Sequence, residues 1–309
     1  VRYFFYIGGN DSMDTCAKIS RYMAKVGYDC RVMGVPKTID NDLWGTDHCP
    51  GYGSAAKYIA TTLMEVYLDA TVYDTGMITV VEIMGRNAGW LTAAAGLASA
   101  RGMGPDLICL PEVDFDLDRF LGDVERIYRQ KGKVLVAVSE GVHDKDSKLI
   151  SEYGSDLASS VDAFGHAQLG GLAATLVARI KERIPTKLRG LELSLMQRCA
   201  AHCASKADVD EAFLAGKTAV EQAIQGQSGF MVAFQRPEAG AYVCQTRLVP
   251  LDQTANAERK VPLDWITPDG YGVTQAFIDY AAPLVEGEPV RVMDRGLPKF
   301  CKLTGFFAE

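Results

Sequence analysis

The sequence predicts an α/β fold built on largely parallel sheets flanked by helices, and three observations lead there. Short apolar, β-branched runs alternate with helical stretches along most of the chain, the pattern of βαβ units. The runs are nearly continuously apolar, as in strands covered on both faces. The polar constellations fall just after such runs, where sheets of this class gather function beyond the carboxyl ends of their strands. A length of 309 residues leaves room for about two domains.

Each element is justified in turn. Tyr3 to Ile7 is a strand candidate, and Gly8-Gly9-Asn10-Asp11 is a loop with Ser12 placed to cap a helix reaching Val26. Cys30 to Val35 is the next strand, followed by the polar loop Pro36 to Asp42 and a helix from Ser54 to Leu68. Ile78 to Ile83 is a strand ending in Met84-Gly85-Arg86, and Asn87 to Ala100 is a small-residue helix. Leu107 to Leu110 and Lys133 to Ser139 are strands that end in Pro111-Glu112 and Glu140-Gly141. Residues 145–170 turn rich in Ser, Asp, Gly and Ala, the composition of a surface excursion. Gly171 to Ile184 and Asp208 to Gln225 are helices, and Leu191 to Leu195 alternates like a strand delivering Gln197 and Arg198 at its end. Phe230 to Phe234 and Tyr242 to Val249 are strands, and Gln275 to Leu284 is helical.

Composition removes several function classes. Hydrophobic residues at 48% and charged residues at 23% exclude a largely disordered chain. A net charge of −7 argues against broad binding to nucleic acid or anionic membrane. No apolar run is long enough to span a bilayer; the best, Trp90 to Ala100, is short and followed by Arg101. Nothing at the start reads as a leader peptide. The eight cysteines are scattered with no CxxC pair, which fits reduced thiols in a cytoplasmic protein. Cys199, His202 and Cys203 share a helical spacing but lack a fourth zinc ligand, and His48, His143 and His166 form no pattern.

Five constellations carry chemistry. Gly8, Gly9, Asp11 and Ser12 lie where a strand meets a helix, and free backbone N–H groups there attract anions. Asp11 is a carboxylate in that setting, suited to exclude a bulkier phosphate donor or to hold Mg²⁺. Pro36-Lys37-Thr38-Ile39-Asp40-Asn41-Asp42 packs two carboxylates, an amide and a lysine together; in extended chain Asp40 and Asp42 would share a face. One of them can take a proton from a hydroxyl while Lys37 steadies charge on a transferring group. Met84-Gly85-Arg86-Asn87 brings an arginine able to grip phosphate in a bidentate manner. Glu112 and Glu140, each after a strand, can accept sugar hydroxyls or approach a metal, and Arg189 to Arg198 closes the set.

In this order the residues resemble the 6-phosphofructokinase family, pyrophosphate-dependent type. The heptapeptide Pro36 to Asp42 is the most specific motif, joined by Met84-Gly85-Arg86, Ala88-Gly89-Trp90, Pro111-Glu112, Ser139-Glu140 and Gln197-Arg198, with the likeness running from Tyr3 to about Gly287. The resemblance implies two lobes with the active site in the cleft between them: 1–51 with 198–275 for the phosphate donor, 52–197 with 276–309 for the sugar phosphate. It implies Mg²⁺-dependent, reversible phosphoryl transfer from pyrophosphate to the 1-hydroxyl of fructose 6-phosphate, in a cytoplasmic homodimer or homotetramer that engages neither nucleic acid nor membrane. Asp40 becomes the base, flanked by Thr38, Ile39 and Asp42. Met84, Gly85, Arg86, Glu140, Leu195 and Arg198 fall at sugar-phosphate positions, and Arg189 at one that serves a neighbouring subunit.

The same resemblance separates donors. ATP-dependent members usually carry Gly at the positions of Asp11 and Lys37, and pyrophosphate-dependent members carry this Asp and Lys. Asn10 stands where many members have a metal-binding Asp, so Asn10 and Asp11 are the metal candidates. Leu195 replaces a usual His or Tyr. The family's first strand and Gly-rich phosphate loop belong before Tyr3, which makes a fragment of a longer enzyme the expectation. The alternatives are an ATP-dependent enzyme, or a catalytically silent subunit that binds the sugar phosphate.

Overall fold

The computed structural model describes residues 1–153, 171–238, 240–254 and 257–301. The excursion expected over 145–170 falls outside them from 154 onward, as does His166. In chain order the elements are β1 (Tyr3–Gly8), α1 (Asn10–Lys25), β2 (Arg31–Pro36), α2 (Tyr52–Val72), β3 (Met77–Ile83), α3 (Trp90–Ala93), α4 (Ala95–Ser99), β4 (Leu107–Cys109), α5 (Leu117–Lys131) and β5 (Lys133–Ser139). There follow α6 (Leu172–Arg183), β6 (Lys187–Glu192), α7 (Met196–Cys199), α8 (Lys206–Ile224), β7 (Phe230–Gln235), β8 (Gln245–Pro250), α9 (Leu251–Thr254), α10 (Gln275–Ala281) and the short hairpin β9 (Met293–Asp294) and β10 (Leu297–Pro298).

Two four-stranded sheets organise the chain. The first runs β1-β2-β7-β8, parallel except for the antiparallel β7–β8 pair; the second runs β4-β5-β3-β6 and is parallel throughout. Strand alternation sends opposite side chains to opposite layers. Val32 joins Met13, Cys16 and Ala17 of α1 under one face of the first sheet. Met33 and Val35 join Ala215, Ala219 and Ala223 of α8 on the other. In the second sheet Ile78 and Val80 pack with α5 and α6, and Val81 and Ile83 with α2, α3 and α4. Each large side chain fully buried in these layers contributes roughly 1.5–3 kcal/mol.

Four local readings are corrected. α1 begins at Asn10 with Gly9 at its N-cap, so Ser12 lies inside the first turn. The helix expected over 87–100 is two short helices, α3 and α4. The strand expected at 191–195 lies earlier, as β6; Ser194 adopts φ 42°, and Leu195 starts the turn of helix that carries Gln197 and Arg198. α5 has no counterpart in the sequence reading, although Asp116 caps its N-terminus, Gly132 closes it in the left-handed region, and Phe120, Leu121, Val124 and Ile127 form its buried face.

Contacts between distant segments fix the two sheets against each other. Asp208, in the first turn of α8, accepts from the backbone N–H of Gly51 (2.7 Å) and Ser54 (3.0 Å) and so caps α2 from another element. The loops after β1, β2, β3 and β5 thereby face one cleft, and α7 closes its side.

Candidate active site

A cleft of about 380 Å³ is lined by Gly9, Asn10, Asp11, Ser12, Thr38, Asp40, Asp42, Met84, Gly85, Arg86, Asn87, Ala88, Glu140, Arg198 and Glu258. Most of the residues singled out from sequence thus meet in one place, drawn from segments up to 189 positions apart. Glu258 is absent from the sequence reading, and Asn87 and Ala88 appear there only within motifs, with no role of their own. Asn87 donates from Nδ2 to Glu258 Oε1 at 2.8 Å, and Glu258 reaches the cleft through its backbone pairing with Leu43.

The turn of the heptapeptide is bent, not extended. Asn41 is buried with φ 57°, a left-handed conformation that Asn tolerates better than most residues. Its side chain is fixed at both ends: Oδ1 accepts from Cys49 N at 2.9 Å, and Nδ2 donates to the Tyr280 hydroxyl at 2.8 Å. The bend sends both Asp40 and Asp42 into the cleft. Thr38 Oγ1 donates to Asp40 Oδ2 at 3.2 Å and accepts from Asp40 N at 3.1 Å, orienting that carboxylate.

Asp42 is held differently. Burial, then the neighbouring charges of Asp40 and Glu258, push its carboxyl up to about 7, opposed by hydrogen bonds from its own backbone and from Asn10. That last bond runs from Asn10 Nδ2 to Asp42 Oδ2 at 2.9 Å. Asn10 Oδ1 is buried and has no protein partner. An orphaned amide oxygen beside a carboxylate is a hard-oxygen donor set, and it fits Mg²⁺.

The opposite wall is shaped by close backbone packing. Gly85 has φ 142°, and a side chain there would stand 2.7 Å from the Ala88 carbonyl oxygen. A Cβ at Gly141 would lie 1.9 Å from the Arg86 carbonyl oxygen, so only glycine lets the β5 loop support the arginine loop. Glu140 accepts from Gly85 N at 3.1 Å, and burial raises its pKa against the pull of that bond and of Arg86 and Arg198. Gln197, buried, accepts from Met84 N at 3.1 Å and ties α7 to the same loop.

The remaining sequence candidates lie elsewhere. Gly8 is buried behind the cleft and its carbonyl accepts from Lys37 N at 3.0 Å; the Lys37 side chain is exposed and outside the lining. Ile39 faces an adjoining cavity of about 200 Å³ that shares Arg198. Arg189 pairs with Asp69 at 2.5 Å on the outer side of β6, and Leu195 is 65% exposed. Glu112 is a structural tie: one carboxylate oxygen accepts from Gly89 N (2.8 Å) and Val261 N (3.0 Å).

Cys199, His202 and Cys203 form no metal-binding group among the described residues. His48, Glu211 and Cys244 do bring ligand atoms within 4.8 Å of one another. Both His48 nitrogens, however, sit 2.8 Å from carboxylates, of Asp47 and Glu211, and these raise its pKa against burial, so the group is a hydrogen-bonded ion network.

Taken together, the cleft offers five carboxylates against two guanidiniums, with a bent turn bearing Asp40 and Asp42 on one wall and an arginine loop on the other. A divalent cation bound there would offset the charge of these carboxylates. No helix among the described residues is long and apolar enough to cross a membrane.

Comparison with known proteins gives the same direction. The family model described as phosphofructokinase matches residues 1–187. The pyrophosphate–fructose 6-phosphate 1-phosphotransferase of Halomonas elongata is 43% identical over 306 residues, covering 98% of this chain and 72% of that protein. The enzyme of the same name from Methylococcus capsulatus is 42% identical over 306 residues, with the same coverage of 98% and 72%. The crystal structure of a pyrophosphate-dependent phosphofructokinase from Marinobacter aquaeolei superposes with a TM-score of 0.85 at 37% identity, covering 97% of this chain and 71% of that one.

Proposed function

Because the chain belongs to the phosphofructokinase family, we propose that it transfers a phosphoryl group from pyrophosphate to the 1-hydroxyl of fructose 6-phosphate, giving fructose 1,6-bisphosphate and phosphate. The observation that carries this reading is the meeting of Asp40, Arg86, Glu140 and Arg198 with the first turn of α1 in one cleft.

Each residue has a task set by its position. Asp40, oriented by Thr38, takes the proton of the sugar hydroxyl as its oxygen attacks phosphorus. Arg86 and Arg198 offset the charge of the sugar phosphate and of the group in transit, and Met84, Gly85 and Glu140 hold the sugar by backbone and carboxylate contacts. Gly9 has no side chain to cap α1, so the first-turn N–H groups are left for the donor, with Ser12 beside them. Asp11 places negative charge where a nucleotide's additional phosphate would lie, which favours the shorter donor. Lys37, whose backbone is anchored to Gly8, brings its ammonium to the donor by swinging its flexible stem. Asn10 Oδ1, with Asp11 and Asp42, would hold Mg²⁺, which when bound neutralises phosphate charge.

The division into 1–51 with 198–275 and 52–197 with 276–309 belongs to the same proposal, as does a cytoplasmic location. Arg189, outside the cleft of its own chain, serves the sugar phosphate of a second copy in a homodimer or homotetramer.

The test is turnover of fructose 6-phosphate with Mg²⁺, run in parallel with pyrophosphate and with ATP. Turnover with pyrophosphate alone supports the reading; turnover with ATP alone reverses the donor assignment. Silence with both, alongside intact binding of fructose 6-phosphate, leaves a sugar-phosphate-binding subunit.

A further inference from the structure

We propose that Arg259 is a positioning residue that couples the two walls of the cleft, locking the turn that carries Asp40 to the loop that carries Arg86. The proposal rests on the cleft being the active site described above.

Arg259 touches both walls at once. Its backbone N–H donates to the Asp42 carbonyl at 2.8 Å, and its own carbonyl accepts from Trp90 Nε1 at 2.8 Å. Its guanidinium donates to the Tyr280 hydroxyl at 2.8 Å, to the carbonyls of Asn41 and Thr46 at 3.4 Å each, and to the Asp47 carbonyl. The same guanidinium stacks on the Trp90 ring, 4.1 Å from its centroid. Asn41 and Asp42 follow Asp40 directly, and Trp90 begins the helix that continues from the Arg86 loop.

The chemistry needs an arginine. Five N–H donors in a rigid plane serve acceptors in several directions while the flat face covers an indole. A lysine ammonium, though charged, neither stacks in that way nor spans those acceptors. Tyr280 completes the device: its hydroxyl accepts from Asn41 Nδ2 and Arg259 and donates to the Asp47 carbonyl at 2.9 Å. Asn41 is thus held in its left-handed conformation by two neighbours that also grip the opposite wall. Glu112 secures the arrangement by accepting from Gly89 N and Val261 N, on either side of the Trp90–Arg259 contact.

A coupling role separates two steps that a structural role would not. Neither Arg259 nor Tyr280 lines the cleft, so binding of fructose 6-phosphate should survive while alignment of Asp40 fails. In Arg259→Lys kcat is expected to fall at least thirtyfold, and in Tyr280→Phe about tenfold, with the fructose 6-phosphate Kd within threefold of the unsubstituted protein in both. A second readout needs no turnover: fructose 6-phosphate is expected to slow amide hydrogen exchange over residues 38–48 in the unsubstituted protein, and that protection is lost in Tyr280→Phe. If Arg259→Lys gives no cooperative melt, Tyr280→Phe decides. Unchanged kcat and retained protection in Tyr280→Phe overturn the proposal, as does a loss of kcat matched by an equal loss of sugar-phosphate affinity. An unsubstituted protein that binds fructose 6-phosphate but turns over with no donor defeats the proposed reaction instead, and the exchange comparison still decides the coupling.

Discussion

Asn10 donates from Nδ2 to the Asp42 carboxylate at 2.9 Å, so the first turn of α1 and the turn bearing Asp40 share a hydrogen bond within the cleft. The bond supports the charged form of a carboxyl that burial and the charges of Asp40 and Glu258 nonetheless hold up at about 7. Asn10→Ala removes both that support and the orphaned amide oxygen. The Mg²⁺ concentration for half-maximal turnover is expected to rise at least tenfold, with the fructose 6-phosphate KM little changed. An unaltered Mg²⁺ titration removes Asn10 from the metal site.

Asp40→Asn preserves the shape of the residue that Thr38 orients and takes away its basicity. Loss of a positioned general base costs about 10²–10⁴ in rate. Turnover should fall into that range while calorimetry gives a fructose 6-phosphate affinity within threefold of the parent. Near-normal turnover would falsify the assignment of Asp40.

Donor choice is tested by Asp11→Gly combined with Lys37→Gly. Removing the carboxylate opens the first turn of α1 to a longer polyphosphate, and removing the ammonium takes away the charge offered to the short one. The double variant should bind ATP more tightly than the parent and use pyrophosphate at least tenfold less well. A variant that keeps full pyrophosphate use and gains no ATP affinity places donor selection elsewhere.

Glu82 offers a pH test at a residue outside the lining of the cleft. It lies on β3, buried, and accepts from the backbone N–H of Ala173 at 2.8 Å, at the start of α6. Burial, with the charges of Glu192 and Glu140, pushes its carboxyl up to about 7, partly countered by the backbone N–H groups of Ala173 and Leu172. The folded state therefore holds the proton more tightly than the unfolded chain, so this stability is full below about pH 4.5 and is lost as pH rises through about 7. Glu82→Gln stays neutral and still accepts a backbone bond. Its melting temperature should match the parent near pH 4.5 and exceed it at pH 8, the gain in stability there being at most about 3 kcal/mol. Equal melting temperatures at both pH values remove Glu82 as the cause.

The parts of the site legible in the sequence are those written into single loops. Pro36 to Asp42, Met84 to Arg86 and Glu140 each follow an apolar run, and the position at a strand end is itself the signal. Glu258 has no such marker. It lies in a polar stretch and reaches the cleft only because Leu43 pairs with its backbone, a relationship between positions far apart in the chain. α5 shows the converse case, since its cap, its apolar face and its terminal glycine are all readable, but its dense charges mask the periodicity. At Leu195 the repeating leucines imply a strand that the left-handed Ser194 ends.

The Tyr280 hydroxyl that holds Asn41 is 239 residues downstream of it, and the first sheet needs β7 to join β1 and β2. On a ribosome making the chain from its amino end, the segment bearing Asp40 emerges before α10 and waits. Its side chain takes its final setting only after α10 has been synthesised and has docked. Full alignment of the turn therefore waits on a residue made 239 positions after Asn41, when α10 supplies the oxygen atom that holds it.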